Sequence, residues 1–472
     1  MHFLSLSSRA SALPSRSRAR DLRVPIFLAL FGAAAVIGCH SAPPPPPPPP
    51  RVLGDSETGA LRWVDAHALA FNIDDSVASA SERDGLVSLA GNARVFGFSE
   101  LNEGSHQFPY IVRRTVLALA EGGRARGLAI QAPMPEAMEI DRYVRGGSGD
   151  PVRLLRTLGN WRWETREMRA LVEAMREWNH GKPAAQQVGF YGFEIPTAEH
   201  AVHVITTLPD SVVGAPLKAW LTRQYSCVAI NEGAHWGLEG RTADSAYWNA
   251  CGPATTKALD SVTALRRRVS SPAAAAEVAF AEDMAKLVQH HVRVGLRHLK
   301  REELNAEHVL YLADQLGPDG MLVLWGGDVE MGRLTLEKTT VQTAVPLGER
   351  LGDRYRAVAF TFGTGVLRTR PLASRSGAGG GGAPGLADVP IQPPLQNSFE
   401  EVFDRAAPAA YWLDMRSLPK DAAGVWLGGP RTMRFITEYY SAALAESFTT
   451  PVEFPKYFDA VVFAKHVTPA RQ

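Results

Sequence analysis

Glu100 and Glu103 stand with His106 in the run Ser99-Glu100-Leu101-Asn102-Glu103-Gly104-Ser105-His106, two carboxylates and an imidazole within seven residues. A carboxylate can orient an imidazole, and the imidazole can take a proton from water. If the segment enters a helical turn, three-residue steps place Glu100, Glu103 and His106 on one face. A second acidic set follows the run Met321 to Trp325, as Gly326-Gly327-Asp328-Val329-Glu330, where two glycines permit close backbone approach. Glu194 closes a third such run, Gln187 to Phe193. These carboxylates suit general acid and base roles, or hard-oxygen ligation of a divalent cation. The plain alternatives are a solvated turn and helix caps, which Asp forms readily. His290, His291 and His298 lie among Arg293, Arg297 and Arg301 and read as a solvated polar face rather than a metal site.

Groups so placed need strands to deliver them, and the chain supplies the pattern. Short β-like runs alternate with longer helical ones from Leu61 onward, which predicts an α/β fold with a central mixed sheet flanked by helices. Strands are expected at Arg94–Phe98, Leu128–Ile130, Gln187–Phe193, Met321–Trp325, Arg356–Phe362, Tyr411–Met415 and Phe458–Phe463. Helices are expected at Ile111–Glu121 and Met168–Trp178, with one or two long ones between Glu277 and Leu316. In open α/β sheets ligands gather beyond the C-terminal strand ends, where these carboxylates fall.

The 472 residues, 45% of them apolar, suffice for a large core. Fifty basic against 49 acidic residues leave +1, which offers no field for nucleic acid. Five arginines precede an apolar run from Val24 to Gly38 that ends in Val-Ile-Gly-Cys39, so residues 1–38 read as a secretory signal. The last four residues resemble the lipobox of bacterial lipoproteins, which would make Cys39 a lipid anchor and place the body at the cell envelope, facing the periplasm or the exterior. Residues 39–57 contain eight consecutive prolines, a stiff spacer of about 3 Å per residue. Without the signal, 45 basic face 48 acidic residues, a charge of −3. Cys227 and Cys251 then remain, with a disulfide as the default in an oxidising compartment. Residues 58–372 and 399–472 are expected to form one α/β domain, interrupted by a flexible Gly- and Pro-rich insertion at 373–398.

The body, from about Trp63 to Pro469, resembles the erythromycin esterase family, hydrolases that open macrolide lactones. The stretches that carry the likeness are Phe98–Phe108, Ile140–Gly147, Trp163–Glu167, Phe190–Glu194, Arg301–Leu310, Trp325–Arg333 and Phe458–Phe463. The resemblance implies a Gly-Glu-x-x-His turn whose histidine activates water. In the ungapped register Glu100 matches the family glutamate, while Glu103 falls where that histidine belongs. Gln131 stands for a glutamate, Val112 lies near an arginine position with Arg113 beside it, and Glu194 stands for an aspartate. The family's Trp-x-His-Asn-x-His is Trp325-Gly326-Gly327-Asp328-Val329-Glu330 here, and Arg301-Glu302 matches an Arg-Asp pair. Taking Glu103-Gly104-Ser105-His106 as the turn instead restores a histidine base.

Three functions follow. A lipid-anchored hydrolase of a small-molecule ester or lactone would use His106 or Glu103 as base, Glu100 as orienter and Arg113 or backbone amides for the oxyanion. Its site would include Glu330, with Gln131, Glu194 and Asp328 contacting substrate. A chain that keeps the fold without the reaction would bind a ligand or partner at the envelope. A divalent cation held by Glu100, Glu103, Asp328 and Glu330 would make a metal-assisted hydrolase.

Overall fold

Alternate residues of the apolar run at 321–327 face opposite ways, Met321, Val323 and Trp325 into one core and Leu322 and Leu324 into another. That is how a strand covered on both faces behaves, and the computed structural model builds a sheet around it. The structure describes residues 51–195, 197–229, 245–295, 297, 299–335, 342–372 and 385–472. The signal segment, Cys39 and the proline run lie outside these residues, as do His298 and positions 373–384. Residues Leu53–Gln472 fold as one unit.

Its strands are β1 (Leu69–Ala70), β2 (Val95–Glu100), β3 (Ala125–Pro133), β4 (Gly189–Glu194), β5 (Met321–Gly327) and β6 (Tyr355–Pro371). After them come β7 (Ala387–Ile391), β8 (Ala410–Asp414), β9 (Arg431–Arg434), β10 (Tyr439–Tyr440), β11 (Thr449–Val452) and β12 (Ala460–Val467). The main sheet runs β1-β8-β12-β6-β2-β5-β3-β4, with β7 and β10 added to β6. From β12 to β4 neighbours are parallel, and β8 and β1 extend the edge antiparallel. A small β9–β11 ribbon stands apart. β2 lies between β5 and β6, and Glu100 is level with Gly327 on one side and Phe360 on the other.

The pleat divides the core in two. Phe96, Phe98, Val323, Trp325, Val358 and Phe360 pack under the helices Gln107–Glu121 and Arg166–Asn179. Leu322, Leu324, Ala357, Ala359 and Phe463 pack under Arg301–Gln315, Ala344–Leu351 and Phe399–Asp404. Thr165 caps the helix Arg166–Asn179 by accepting from the Met168 N–H, an arrangement that satisfies an end-of-helix donor. Between β4 and β5 the chain leaves the sheet for helices that include Glu199–Thr206, Ala215–Ala229, Ser245–Arg266 and Pro272–Gly295. They bury a third core around Ile205, Leu221, Tyr225, Val262, Met284 and Val288. Cys227 and Cys251 are disulfide-bonded there, their Cα atoms 5.6 Å apart. No helix of the described residues is long and apolar enough to cross a membrane.

Three expectations change. β6 runs on to Pro371, nine residues beyond the expected end at Phe362, because Gly363 and Gly365 are not turn residues. They let other segments approach where a Cβ would meet Asp404 or Val467. The insertion expected at 373–398 is not wholly irregular, since Ala387–Ile391 pairs antiparallel with the far end of β6. His290 is buried rather than solvated, stacked on Tyr311 at 4.2 Å between centroids and set edge-on to His308.

Candidate active site

β2, β5, β3 and β4 end side by side, so Glu100, Gly327, Gln131 and Glu194 arrive at one rim of the sheet. Beyond it lies an open cleft of about 620 Å³. Its floor is Glu103, Gln131, Arg162, Gly327, Asp328 and Glu330; its walls are Gly159, Asn160, Trp161, Arg301, Arg370, Thr437 and Glu438. Ten of these thirteen residues carry charged, amide or hydroxyl side chains and one, Trp161, an extended apolar surface.

The segment after β2 does not enter a helical turn. Its backbone is threaded against other strands, with Glu103 N–H donating to Ile436 O at 2.8 Å and Arg368 N–H to Gly104 O at 3.0 Å. Gly104 takes φ +95°, a conformation that favours glycine, and a Cβ there would overlap Arg368 O. Glu100 and Glu103 are therefore directed to the cleft end of the sheet, while His106 is carried onward to the start of the helix Gln107–Glu121. His106 Nδ1 lies 2.5 Å from Glu167 Oε1, and its ring packs on Tyr110. It does not line the cleft. Arg113 is also elsewhere, donating to Ser76 O at 3.0 Å with its guanidinium over Tyr110. The roles expected of His106 as base and Arg113 as oxyanion donor are thus corrected by position.

A residue that the spacing did not single out takes the centre. Arg162 pairs with Glu103 and donates to Gln131 Oε1 at 3.4 Å, while its guanidinium packs against Trp163. Gln131 Oε1 also accepts the Gly327 N–H at 3.2 Å. A Cβ on Gly327 would overlap both Glu103 Oε1 and Arg162 Nη1, so the bare backbone at 327 is what admits the ion pair. The signal available in sequence was an arginine between two tryptophans, Trp161-Arg162-Trp163, immediately before a stretch already noted.

The carboxyl groups are perturbed by burial. Glu100, almost wholly buried with Trp325 Nε1 donating to it at 3.1 Å, is pushed up to about 8 by desolvation and then by Glu103. Glu103 is raised by burial, with Arg162 opposing. Asp328 is raised to about 7, chiefly by burial and next by Glu103. It is a non-glycine residue at φ +49°, pinned where its N–H donates to Glu100 O at 3.0 Å. Glu330 is raised to about 8 by burial and by Glu194, while Thr343 donates to its Oε1 at 2.6 Å. Arg301 holds Glu194 at 2.6 Å. Among the described residues no three of His, Cys, Asp or Glu are grouped so as to hold a metal ion.

A profile of the family described as erythromycin esterase matches residues 125–467. The chain belongs to the erythromycin esterase family. Three solved structures share its fold at low identity. A Bacillus cereus protein is 16% identical with a TM-score of 0.68, the match covering 88% of this chain and 98% of that one. A succinoglycan biosynthesis protein is 15% identical with a TM-score of 0.68, covering 89% and 100%. A mutant of the erythromycin esterase EreC in its open conformation is 14% identical with a TM-score of 0.53, covering 85% and 97%. Within this erythromycin esterase fold, the cleft at the sheet's C-terminal rim is lined by acids and arginines, and no histidine is among its described lining residues.

Proposed function

We propose that the chain hydrolyses a carboxylic ester or lactone, with carboxyl groups performing the proton transfers that the family resemblance assigns to histidines. One observation carries the reading: Asp328 and Glu330 open on a single cleft with acidities at about 7 and about 8, the range of an imidazole. Near pH 7 Asp328 is substantially ionised and Glu330 is protonated, a division of labour between two acids set by their surroundings. Asp328 takes a proton from water as its oxygen bonds to the acyl carbon. Arg162 and Arg301 face the same cleft and stabilise the oxyanion. Glu330 then protonates the departing alkoxide, giving a carboxylic acid and an alcohol. Glu100 lies behind this pair and fixes Asp328 through its carbonyl.

The test is a pH–rate profile for a nitrophenyl ester. The expected curve is bell-shaped, rising near about 7 and falling near about 8. Asp328→Asn and Glu330→Gln should each lower kcat by at least roughly a hundredfold, and Asp328→Asn should abolish the rising limb. A second reading, a ligand-binding cleft without turnover, is favoured by the displacement of His106 to Glu167. It replaces the first if purified protein cleaves neither nitrophenyl esters nor macrolides faster than Asp328→Asn.

We also propose that Cys39 is acylated and tethers the body to the cell envelope, on the strength of the Val-Ile-Gly-Cys sequence. Mass spectrometry of the mature N-terminus checks this, and Cys39→Ser should release the protein from the membrane fraction.

A further inference from the structure

We infer that the acyl group this cleft removes is borne by a hydroxyl-rich saccharide rather than by an apolar macrocycle. The inference rests on the hydrolase reading above and adds the class of alcohol. A macrocyclic lactone presents a broad apolar surface, and sites for such ligands are lined mainly by hydrophobic and aromatic side chains with few polar groups. This cleft inverts that ratio, with one large apolar side chain, Trp161, among thirteen lining residues. Covering its charged groups with hydrocarbon would strip their water and return no hydrogen bonds.

A saccharide fits on three counts. Its hydroxyls both donate and accept, and the walls offer both functions, with Arg301 and Arg370 against Glu438 and the amide of Asn160. The face of a sugar ring is a patch of C–H groups, and Trp161 is half-buried at the wall with no aromatic or guanidinium partner among the described residues. The cleft is open rather than enclosed, and its wall at Arg370–Glu438, a pair at 2.9 Å, stands at the surface, so a chain can extend beyond the reacting unit. In the reaction, water oxygen bonds to the acyl carbon, the bond from that carbon to the sugar oxygen breaks, and the sugar oxygen takes the proton from Glu330.

The experiment compares three esters on the purified protein: O-acetylated xylohexaose, 4-nitrophenyl acetate and erythromycin. Binding of unacetylated xylohexaose is measured by calorimetry alongside. Acetate release from the saccharide should proceed with kcat/KM at least roughly tenfold above lactone opening, a difference of about 1.4 kcal/mol. Trp161→Ala should raise KM for the acetylated saccharide at least roughly tenfold, and Trp161→Phe should recover most of that loss. A preference for erythromycin, or a saccharide ester cleaved no better than nitrophenyl acetate, would overturn the inference and leave the hydrolase reading standing. If no ester is cleaved, the hydrolase reading falls by itself. Xylohexaose binding that Trp161→Ala weakens would then still support a saccharide site, and no heat of binding at millimolar xylohexaose would overturn it.

Discussion

Gly327, Glu103 and Arg162 form one interlocked unit in which the smallest residue makes room for an ion pair. Putting a side chain at 327 forces that pair apart inside a buried site, and an unpaired buried charge is costly. Gly327→His should therefore lower unfolding stability by at least about 2 kcal/mol in urea titration. Adding Glu103→Ala should return part of that loss, giving a non-additive pair. Glu100, Glu103, Glu194, Asp328 and Glu330 drew notice because each stands at or just past a strand end, and Gln131 through the family register; of these Glu103, Gln131, Asp328 and Glu330 line the cleft. Arg162 did not, since nothing in a loop's spacing tells which strand end it will reach. His106 was misread because helical spacing was applied to a segment whose hydrogen bonds go to Ile436 and Arg368 instead, and Arg113 because it was placed only by its neighbour's match to a family arginine, whereas its helix turns it toward Ser76.

Among elements, the connection from β2 to its helix decides which way the acids point. Gly104→Ala should cost at least about 1 kcal/mol from its positive φ and its contact with Arg368 O, and should also reduce turnover by shifting Glu103. Thermal unfolding and ester assays on the same preparation check both effects. The helical insertion between β4 and β5 is stapled separately: reducing Cys227–Cys251, 24 residues apart, should remove about 3 kcal/mol from its core while leaving the sheet's signature in circular dichroism. The strands at 95–100, 321–327 and 460–467 were readable because burial on both faces leaves apolar runs at 95–98, 321–325 and 460–464. The second half of β6 was not, because from Thr364 on its residues alternate with solvent, and Gly363 and Gly365 interrupt the apolar run as they would in a loop.

The molecule as a whole carries buried carboxyls that prefer to be neutral. For Glu100, Asp328 and Glu330 the folded protein binds protons that the unfolded chain releases near pH 4 to 4.5. Their contribution is complete below that range and is lost as pH rises through about 7 to about 8. Stability should fall between pH 5 and pH 9, by at most about 1.4 kcal/mol per pH unit for each group. Glu100→Gln should flatten the slope, which melting temperatures across that range would read directly. β6 meanwhile serves two masters. Its first half is level with Glu100 deep in the sheet, and its second half, with Leu367 still in the core, pairs with β7 and β10 and brings Arg370 to Glu438 at the cleft wall. The acids proposed to transfer protons and the wall proposed to meet the ligand thus belong to different stretches of chain, so remodelling residues 366–371 and 437–440 would alter recognition while leaving those acids in place.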